Sequence, residues 1–152
     1  MRLTNILKPY HTLCHSPGVS KKRCLETIAN FVAHEAYGVS AEDVFMRLIQ
    51  RERLGSTGIG NGIAIPHCRI PNLTQVVGAL ITLDKAIDFE AIDEQPVDLI
   101  FVLLVPEESF SEHLETLATL AELFNQDTFC DALRGASNNE QLYNAAVTFA
   151  EA

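Results

Sequence analysis

The sequence lacks long apolar runs and holds few cysteines. The longest apolar run, Leu99–Val105, is far shorter than the roughly 20 residues that a membrane-spanning helix needs. The N-terminus has no apolar signal core, so we expect a cytoplasmic protein without membrane insertion. The four cysteines are Cys14, Cys24, Cys68 and Cys130. They form no C-x-x-C pair, which argues against a zinc knuckle or a thioredoxin-type site and is typical of free thiols in a reducing compartment.

Positive charge is also scarce. Lys and Arg together number 11 against 20 Asp and Glu residues, which leaves a formal net charge of −9. Nucleic-acid binding relies on surplus Lys and Arg against the phosphate backbone, so we expect no nucleic-acid partner. A basic protein surface is a better match for this charge.

Length and composition are those of an ordinary globular protein. Hydrophobic residues make up 47% and charged residues 20% of the 152 residues, and no low-complexity tract or repeat is present. A chain of this length buries roughly 70% of its unfolded surface. We therefore expect residues 1–152 to form one domain that needs neither disulfides nor metals for stability.

Helical spacing of apolar residues predicts two helices in the first third of the chain. Ser20 is the expected N-cap of the first helix, which runs to Gly38. Ser40 caps the second helix, whose apolar stripe ends near Leu54. Arg51 therefore falls in the last turn of this second helix.

Two longer strands follow in the centre of the sequence. The segments Val76–Leu83 and Pro96–Val105 have strand patterns. The second contains an unbroken apolar run, which is typical of a strand covered on both faces.

Three more helices are expected near the C-terminus. Ser111 is the predicted N-cap of the third helix and places His113 in its first turn. A short helix over Asp127–Arg134 ends at Gly135, and Ser137 caps the last one. The order of helices, then strands, then helices predicts an α/β fold in which helices sandwich a mixed sheet.

A glycine-rich loop precedes a histidine. The loop comprises Gly55, Ser56, Thr57, Gly58, Gly60, Asn61 and Gly62. It enters an apolar strand at Ile63–Ile65, which Pro66 is expected to end so that His67 emerges at its mouth. Glycine allows positive φ and close approach of a partner to the backbone. The segment therefore presents His67 as a candidate reactive group.

The loop does not match nucleotide-binding motifs. Its Gly58-x-Gly60-x-Gly62 pattern differs from G-x-G-x-x-G, and it connects a helix to a strand, whereas the dinucleotide fingerprint connects a strand to a helix. It also lacks the Gly-Lys-Ser/Thr ending of a Walker loop. We expect no nucleotide cofactor and interpret the glycines as making room for a protein partner.

The imidazole of His67 suits attack on a phosphoryl donor. With an ordinary pKa near 6.5 it is largely neutral at pH 7 and needs no dedicated base. A transferring phosphoryl group spreads negative charge over its oxygens, which guanidinium groups and backbone N–H groups stabilise. Arg51, the loop amides and His113 are the candidates for this role.

Other polar residues are expected to play structural parts. One N-terminal segment holds the ligand types of a metal site, His11, Cys14 and His15, but no fourth ligand is evident, so we expect no metal. His34 is expected on a solvated helix surface, and Arg53 and Arg69 on the solvated surface near the loop.

The segment from Arg51 to His67 closely resembles the active-site signature of mannitol/fructose-type (type 2) enzyme IIA domains of the bacterial phosphotransferase system. The resemblance continues through Phe89–Asp98, Leu103–Pro106 and His113–Leu117. Ser56 and Asn61 in the loop resemble the nitrogen-related, regulatory branch.

This resemblance implies a phosphohistidine carrier. His67 is expected to accept a phosphoryl group from an HPr-like carrier of the nitrogen type, which receives it from phosphoenolpyruvate through an enzyme I. Arg51 is expected to neutralise the phosphate and His113 to support the active histidine. The regulatory targets implied are potassium-transport or sensor proteins.

Several alternatives stay open at this point. A sugar-specific enzyme IIA would pass phosphate to the cysteine of a separate IIB component. A metal-dependent hydrolase would use His67, His113 and Cys68, and a pure interaction module would never carry phosphate. Cys68 stands where nitrogen-branch members usually have glycine. It is either a packed, inert thiol or a residue that alters partner contacts or redox sensitivity.

Overall fold

The computed structural model describes residues 2–33 and 38–151. Within them the strands are β1 Leu7–Ser16, β2 Gly58–Gly60, β3 Ile63–Ala64, β4 His67–Ile70, β5 Val77–Ile87 and β6 Val97–Pro106. The α-helices are α1 Lys21–Val32, α2 Ala41–Arg53, α3 Leu114–Phe124, α4 Asp127–Arg134 and α5 Asn139–Ala150. The 3-10 segments Leu3–Asn5 and Glu107–His113 precede β1 and α3. Among the described helices, none has the length and hydrophobicity that crossing a bilayer requires.

The described strands form one six-stranded mixed sheet. Its order is β1-β5-β6-β3-β2, and β4 also pairs with β6. β1 lies parallel to β5, β5 antiparallel to β6, and β3 and β4 parallel to β6. β6 therefore lies between β5 on one side and the consecutive strands β3 and β4 on the other.

Helices cover both faces of the sheet. Successive residues of a strand point to opposite faces. Ile100 and Val102 of β6 share a core with residues of α1 and α2, whereas Phe101 and Leu103 share a second core with residues of α3, α4 and α5. The predicted α/β fold with a mixed sheet between helices is confirmed.

The caps of the first two helices agree with the sequence prediction. The hydroxyl of Ser20 accepts a hydrogen bond from the backbone N–H of Arg23 at 3.1 Å. The Ser40 hydroxyl does the same for Asp43 at 3.1 Å. α1 ends at Val32 and not at Gly38 as predicted, while His34 lies outside the described residues.

The caps of two later helices were predicted wrongly. Ser111 lies within the 3-10 segment, and His113 occupies the N-cap position of α3 without a side-chain cap. The turns before α3 are interrupted at Ser109 (φ −122°, ψ 24°), which delays the α-helix. At α5, the side chain of Asn138 accepts from the N–H of Gln141 at 2.8 Å, since asparagine caps as well as serine does.

The first strand was missed. β1 precedes α1, so the predicted order of helices, then strands, then helices is wrong at its start. β1 lies at the edge of the sheet, and its buried residues do not alternate regularly. An edge strand tolerates proline, so Pro9 fits within β1. In the sequence alone, the same proline argues against a strand.

Candidate active site

His67 follows β3 after a short break and is the first residue of β4. We expected the strand to end at Pro66, and β3 does end before it, at Ala64. The sheet nevertheless continues, because β3 and β4 both pair with β6, on either side of a short interruption. The N–H of Leu103 donates to the carbonyl oxygen of Pro66 at 3.0 Å, which keeps the interruption attached to the sheet. His67 is therefore half-buried and fixed at a break between two short parallel strands.

Two hydrogen bonds orient the imidazole of His67. Its Nδ1 lies 2.8 Å from the carbonyl oxygen of Ile65. Because a carbonyl only accepts, Nδ1 carries the proton, and Nε2 of the neutral ring carries the lone pair. Nε of Arg51 donates to that Nε2 at 3.3 Å. The nitrogen available for nucleophilic attack is thus Nε2, and it faces a guanidinium.

The environment keeps this imidazole neutral. Burial is the largest effect and lowers the pKa of His67 below its ordinary 6.5. The hydrogen bond to Ile65 and the charge of Glu52 raise this pKa, while the charge of Arg51 lowers it. The net shift is downward, so the nucleophilic form predominates at neutral pH.

The position of Arg51 agrees with the sequence prediction. It lies in the last turn of the helix, and its Nη1 donates to the carbonyl oxygen of Gly55 at 2.8 Å. The guanidinium therefore bridges the start of the glycine-rich loop and His67. This geometry leaves a planar group with several donors beside Nε2.

His113 is the N-cap residue of α3. Nothing in the described part of the chain joins His113 to His67 by a hydrogen bond. Leu117, one helical turn beyond His113, lines a cavity of about 170 Å³ together with His67 and Ile59. The structure thus brings Arg51 to His67, whereas at His113 it shows an N-cap position four residues before Leu117.

Basic side chains gather beside His67. A second cavity, of about 450 Å³, is lined by His67 with Arg47, Arg51 and Arg69 and by the acidic Glu107. Arg69 is exposed, as predicted, and it also lines the cavity beside His67. Arg53 instead lines a separate groove between α1 and α2.

The glycine-rich loop is a β-hairpin. Asn61 and Gly62 connect β2 to β3 with φ values of 59° and 82°. Two consecutive residues with positive φ make a type I′ turn, for which Asn-Gly is the strongest sequence signal. This signal was available in the sequence and was overlooked.

Side chains of this protein pack closely against two of the loop glycines. A Cβ on Gly58 would lie 2.7 Å from Cβ of Ala91, and one on Gly62 would lie 2.6 Å from Nη2 of Arg134. The interpretation that these glycines make room for a protein partner is therefore wrong at both positions. Only Gly55, with φ 152° and open space around it, leaves such room.

Side chains from distant segments hold the hairpin. Ser56 donates to the carbonyl oxygen of Phe89 at 2.7 Å. The N–H of Asn61 donates to Asp93 at 2.9 Å. Arg134 of α4 donates to the carbonyl oxygen of Asn61 at 3.0 Å and forms an ion pair with Asp98 at 2.8 Å. The loop is therefore anchored along its length.

Glu52 is a buried acidic residue that the sequence analysis missed. Only 9% of it is exposed. Its carboxylate accepts hydrogen bonds from the N–H of Thr57 at 3.1 Å and from the Thr57 hydroxyl at 2.5 Å. Its position could have signalled this role, since Val44, Leu48 and Glu52 follow the spacing of the buried face of α2.

Cys68 is a packed thiol. It is buried in β4 opposite Leu104. Burial raises its pKa to about 12, so it stays protonated at neutral pH and the inert interpretation is favoured.

The N-terminal histidines lie on β1. The His11 ring packs edge-on against Phe31, with the ring centres 6.0 Å apart, while Sγ of Cys14 donates to the carbonyl oxygen of Ala136 at 3.4 Å. In residues 2–33 and 38–151, no group of three or more His, Cys, Asp or Glu side chains has the proximity to hold a metal ion.

Related proteins are similar to this chain over nearly its full length. Residues 5–146 match the model of the family described as "Phosphoenolpyruvate-dependent sugar phosphotransferase system, EIIA 2". A nitrogen regulatory protein from Pseudomonas aeruginosa is 49% identical over 147 residues, which are 97% of this chain and 96% of that protein.

Solved structures agree with the sequence matches. The crystal structure of nitrogen regulatory protein IIA-Ntr from Neisseria meningitidis gives a TM-score of 0.88 at 40% identity, covering 95% of this chain and 98% of that one. The crystal structure of IIA mannitol from Escherichia coli gives 0.75 at 14% identity, covering 92% and 98%, and shows the shared fold alone. Together these matches establish that the chain belongs to the EIIA 2 family of the phosphotransferase system, in the branch of nitrogen regulatory proteins.

Proposed function

We propose that this protein carries a phosphoryl group on Nε2 of His67 and regulates target proteins through its phosphorylation state. The donor is the phosphohistidine of an HPr-like carrier of the nitrogen type. The observation that supports this proposal best is the pair of hydrogen bonds on the ring, from Nδ1–H to Ile65 and from Arg51 to Nε2.

The reaction is a phosphoryl exchange between two histidines. The Nε2 lone pair attacks phosphorus, the P–N bond of the donor breaks, and its electron pair returns to the donor ring, which leaves as a neutral imidazole because its other nitrogen carries a proton. The proton on Nδ1 stays in place, held by the carbonyl oxygen of Ile65 at 2.8 Å. His67 therefore needs no separate general base.

Charge compensation comes from guanidinium groups. The Arg51 guanidinium, now a donor to Nε2, shifts to the phosphoryl oxygens as they arrive, and Arg47 and Arg69 line the same cavity. Such donors stabilise the charge that spreads over the oxygens in the transition state. His113, at the N-terminus of α3, supports the phosphorylated histidine in this proposal, because a helix N-terminus favours negative charge.

The regulatory output follows from charge. A phosphoryl group adds about 1.5 to 2 negative charges at neutral pH, next to a cavity lined by Arg47, Arg51 and Arg69. Neutralisation of this cavity changes which protein surfaces bind there. We assign this role to residues 1–152 as one domain acting in the cytoplasm, with potassium-transport or sensor proteins as targets.

A sugar-specific relay is the second candidate. The family description names the sugar phosphotransferase system, and the fold is shared with IIA mannitol. In that case the phosphoryl group would pass from His67 to the cysteine of a IIB component.

One phosphorylation experiment separates these functions. The protein is incubated with phosphoenolpyruvate, enzyme I and either the nitrogen-type or the sugar-type carrier, and its intact mass is measured, with His67→Ala as the control. We expect one acid-labile phosphoryl group, absent from the variant and gained faster from the nitrogen-type carrier. Faster gain from the sugar-type carrier would favour the relay. No gain from either would leave an interaction module that carries no phosphate.

A further inference from the structure

A buried carboxylate is connected to the imidazole of His67 by a continuous series of hydrogen bonds. We propose that Glu52 is a positioning residue for His67, acting through Thr57 and Ile65. The proposal rests on the phosphotransfer function above and adds a residue that sets the orientation of the reacting ring.

Glu52 is unusual for a charged residue because it faces the protein interior. Its side chain is 5% exposed and pairs with Nζ of Lys21 at 2.9 Å. Lys21 also lies 4.9 Å from the centre of the Phe89 ring. A buried carboxylate is tolerated when it is paired and hydrogen-bonded, and Glu52 meets both conditions.

The first connection runs from Glu52 to the loop. Both carboxylate oxygens accept hydrogen bonds from one residue, Thr57, through its N–H and its hydroxyl. Thr57 is the last residue before β2 and is itself 4% exposed. This double contact fixes the position of the Thr57 peptide relative to α2.

The second connection runs from Thr57 to the ring. The carbonyl oxygen of Thr57 accepts from the N–H of Ile65 at 3.0 Å. The carbonyl oxygen of Ile65 in turn accepts from Nδ1–H of His67 at 2.8 Å. Because this last bond keeps the proton on Nδ1, the position of the Ile65 backbone decides which ring nitrogen is nucleophilic.

The same helix turn also orients the other side of the ring. Arg51 and Glu52 are adjacent in α2, so their side chains leave the helix in directions about 100° apart. Arg51 reaches Nε2 of His67, while Glu52 reaches Thr57. One turn of α2 therefore controls both hydrogen bonds of the imidazole.

Glu52→Ala tests this assignment. We expect the folded variant to lose the fixed Nδ1–H tautomer of His67, measured by ¹⁵N shifts of the ring in the unphosphorylated protein. We also expect phosphoryl uptake to slow by about tenfold or more, since small misplacements of reacting groups have effects of this size. Glu52→Gln keeps the side-chain shape and one acceptor oxygen for the N–H of Thr57, and its amide group donates to the Thr57 hydroxyl, so it should restore much of both properties.

The matched control is Glu42→Ala. Glu42 lies exposed in the first turn of the same helix, and its replacement should leave tautomer and rate unchanged. Unchanged tautomer in folded Glu52→Ala would overturn the proposal, whatever the rate, and so would an altered tautomer with an unchanged rate. If Glu52→Ala does not fold, Thr57→Ala decides, because it removes only the hydroxyl contact. A twofold or greater slowing with an altered tautomer would support the proposal, and any other result would overturn it.

The two proposals fail in different ways. The tautomer is read without any donor, so a wild-type protein that takes up no phosphate would refute the phosphotransfer function and leave the positioning result standing. A wild-type protein that is phosphorylated on His67, with an unaltered tautomer in Glu52→Ala, would refute only the positioning role.

Discussion

At the scale of single residues, the imidazole of His67 is held between an acceptor and a donor. The carbonyl of Ile65 accepts from one nitrogen and the guanidinium of Arg51 donates to the other. This arrangement fits only the neutral ring with its proton on Nδ1. A nucleophile is thereby prepared before any donor arrives.

The lowered pKa of His67 predicts its pH dependence. Because burial shifts this pKa below 6.5, the ring stays neutral as the pH falls through 6.5 and becomes protonated only at lower pH. We expect an NMR titration of His67 with a midpoint below 6.5, and uptake of phosphate that is lost only below that midpoint. A midpoint at or above 6.5 would contradict this prediction.

Removal of the Arg51 guanidinium should affect chemistry far more than folding. We expect Arg51→Ala to slow phosphoryl uptake by about 100-fold to 1,000-fold, which is the effect of removing one donor from a charged transition state. Arg53→Ala is the control, since Arg53 lies in the same turn of α2 but lines another groove. Initial rates from intact mass measure both variants. A wild-type rate for Arg51→Ala would remove its assigned role.

Single residues differed in how far they were predictable. The proximity of Arg51 to His67 was foreseeable, since a helix end, a short loop and a strand bring them together within 17 residues. The role of Glu52 was not, because its hydrogen bonds to Thr57 depend on how the loop turns back over α2. The involvement of Arg69 depended likewise on the pairing of β4 with β6.

At the scale of elements, the β2–β3 hairpin connects the site to distant parts of the chain. Its turn residue Asn61 contacts Asp93 and Arg134. Arg134 belongs to α4, on the opposite side of the sheet from α2, which supplies Arg51. Helices from both faces of the sheet therefore fix one short loop.

A methyl group at Gly62 should destabilise this hairpin. Gly62 has φ 82°, and an added Cβ would lie 2.6 Å from Nη2 of Arg134. We expect Gly62→Ala to lower the free energy of unfolding by about 2–3 kcal/mol, from the backbone strain of positive φ and the clash together.

Gly38→Ala separates the two contributions to that loss. Gly38 has φ 65° but nothing within 4 Å of an added Cβ, so only the strain of about 1 kcal/mol should remain. Urea unfolding measures both variants. Equal losses would show that the contact with Arg134 does not matter.

Elements in the centre of the sheet were easier to predict than those at its edge. β5 and β6 have long apolar patterns, and their observed bounds differ from the predicted ones by only a few residues. β1 was missed because an edge strand buries fewer side chains in a regular pattern. β4 was missed because its four residues form a strand only through pairing with β6.

At the scale of the whole molecule, net charge and local charge have opposite signs. The chain carries −9 overall, yet three arginines and one glutamate line the cavity beside His67. Total charge predicted a basic partner, but a local basic patch favours acidic or phosphorylated groups at the site itself. The fold produces this patch by bringing α2 and β4 together.

Stability and chemistry should be separable in this fold. Phe101 is 1% exposed in the centre of the sheet, so Phe101→Ala should lower the free energy of unfolding by about 3–5 kcal/mol.

His113 is half-buried at the start of α3. His113→Ala should lower the free energy of unfolding by less than about 1 kcal/mol and yet slow phosphoryl uptake. Denaturant unfolding and initial rates measure the two effects. Full-rate uptake by His113→Ala would refute its supporting role.

The sequence by itself determined the helices, the central strands, the fold class and the motif around His67, because these depend on apolar periodicity and on residues that are close in the chain. Only the tertiary structure decided the edge strand β1, the pairing of β4 with β6 and the connection of Glu52 to His67 through Thr57 and Ile65. These features join segments that are individually too short or too polar to have a pattern. Their formation depends on hydrogen bonds that exist only once the sheet and helices are packed.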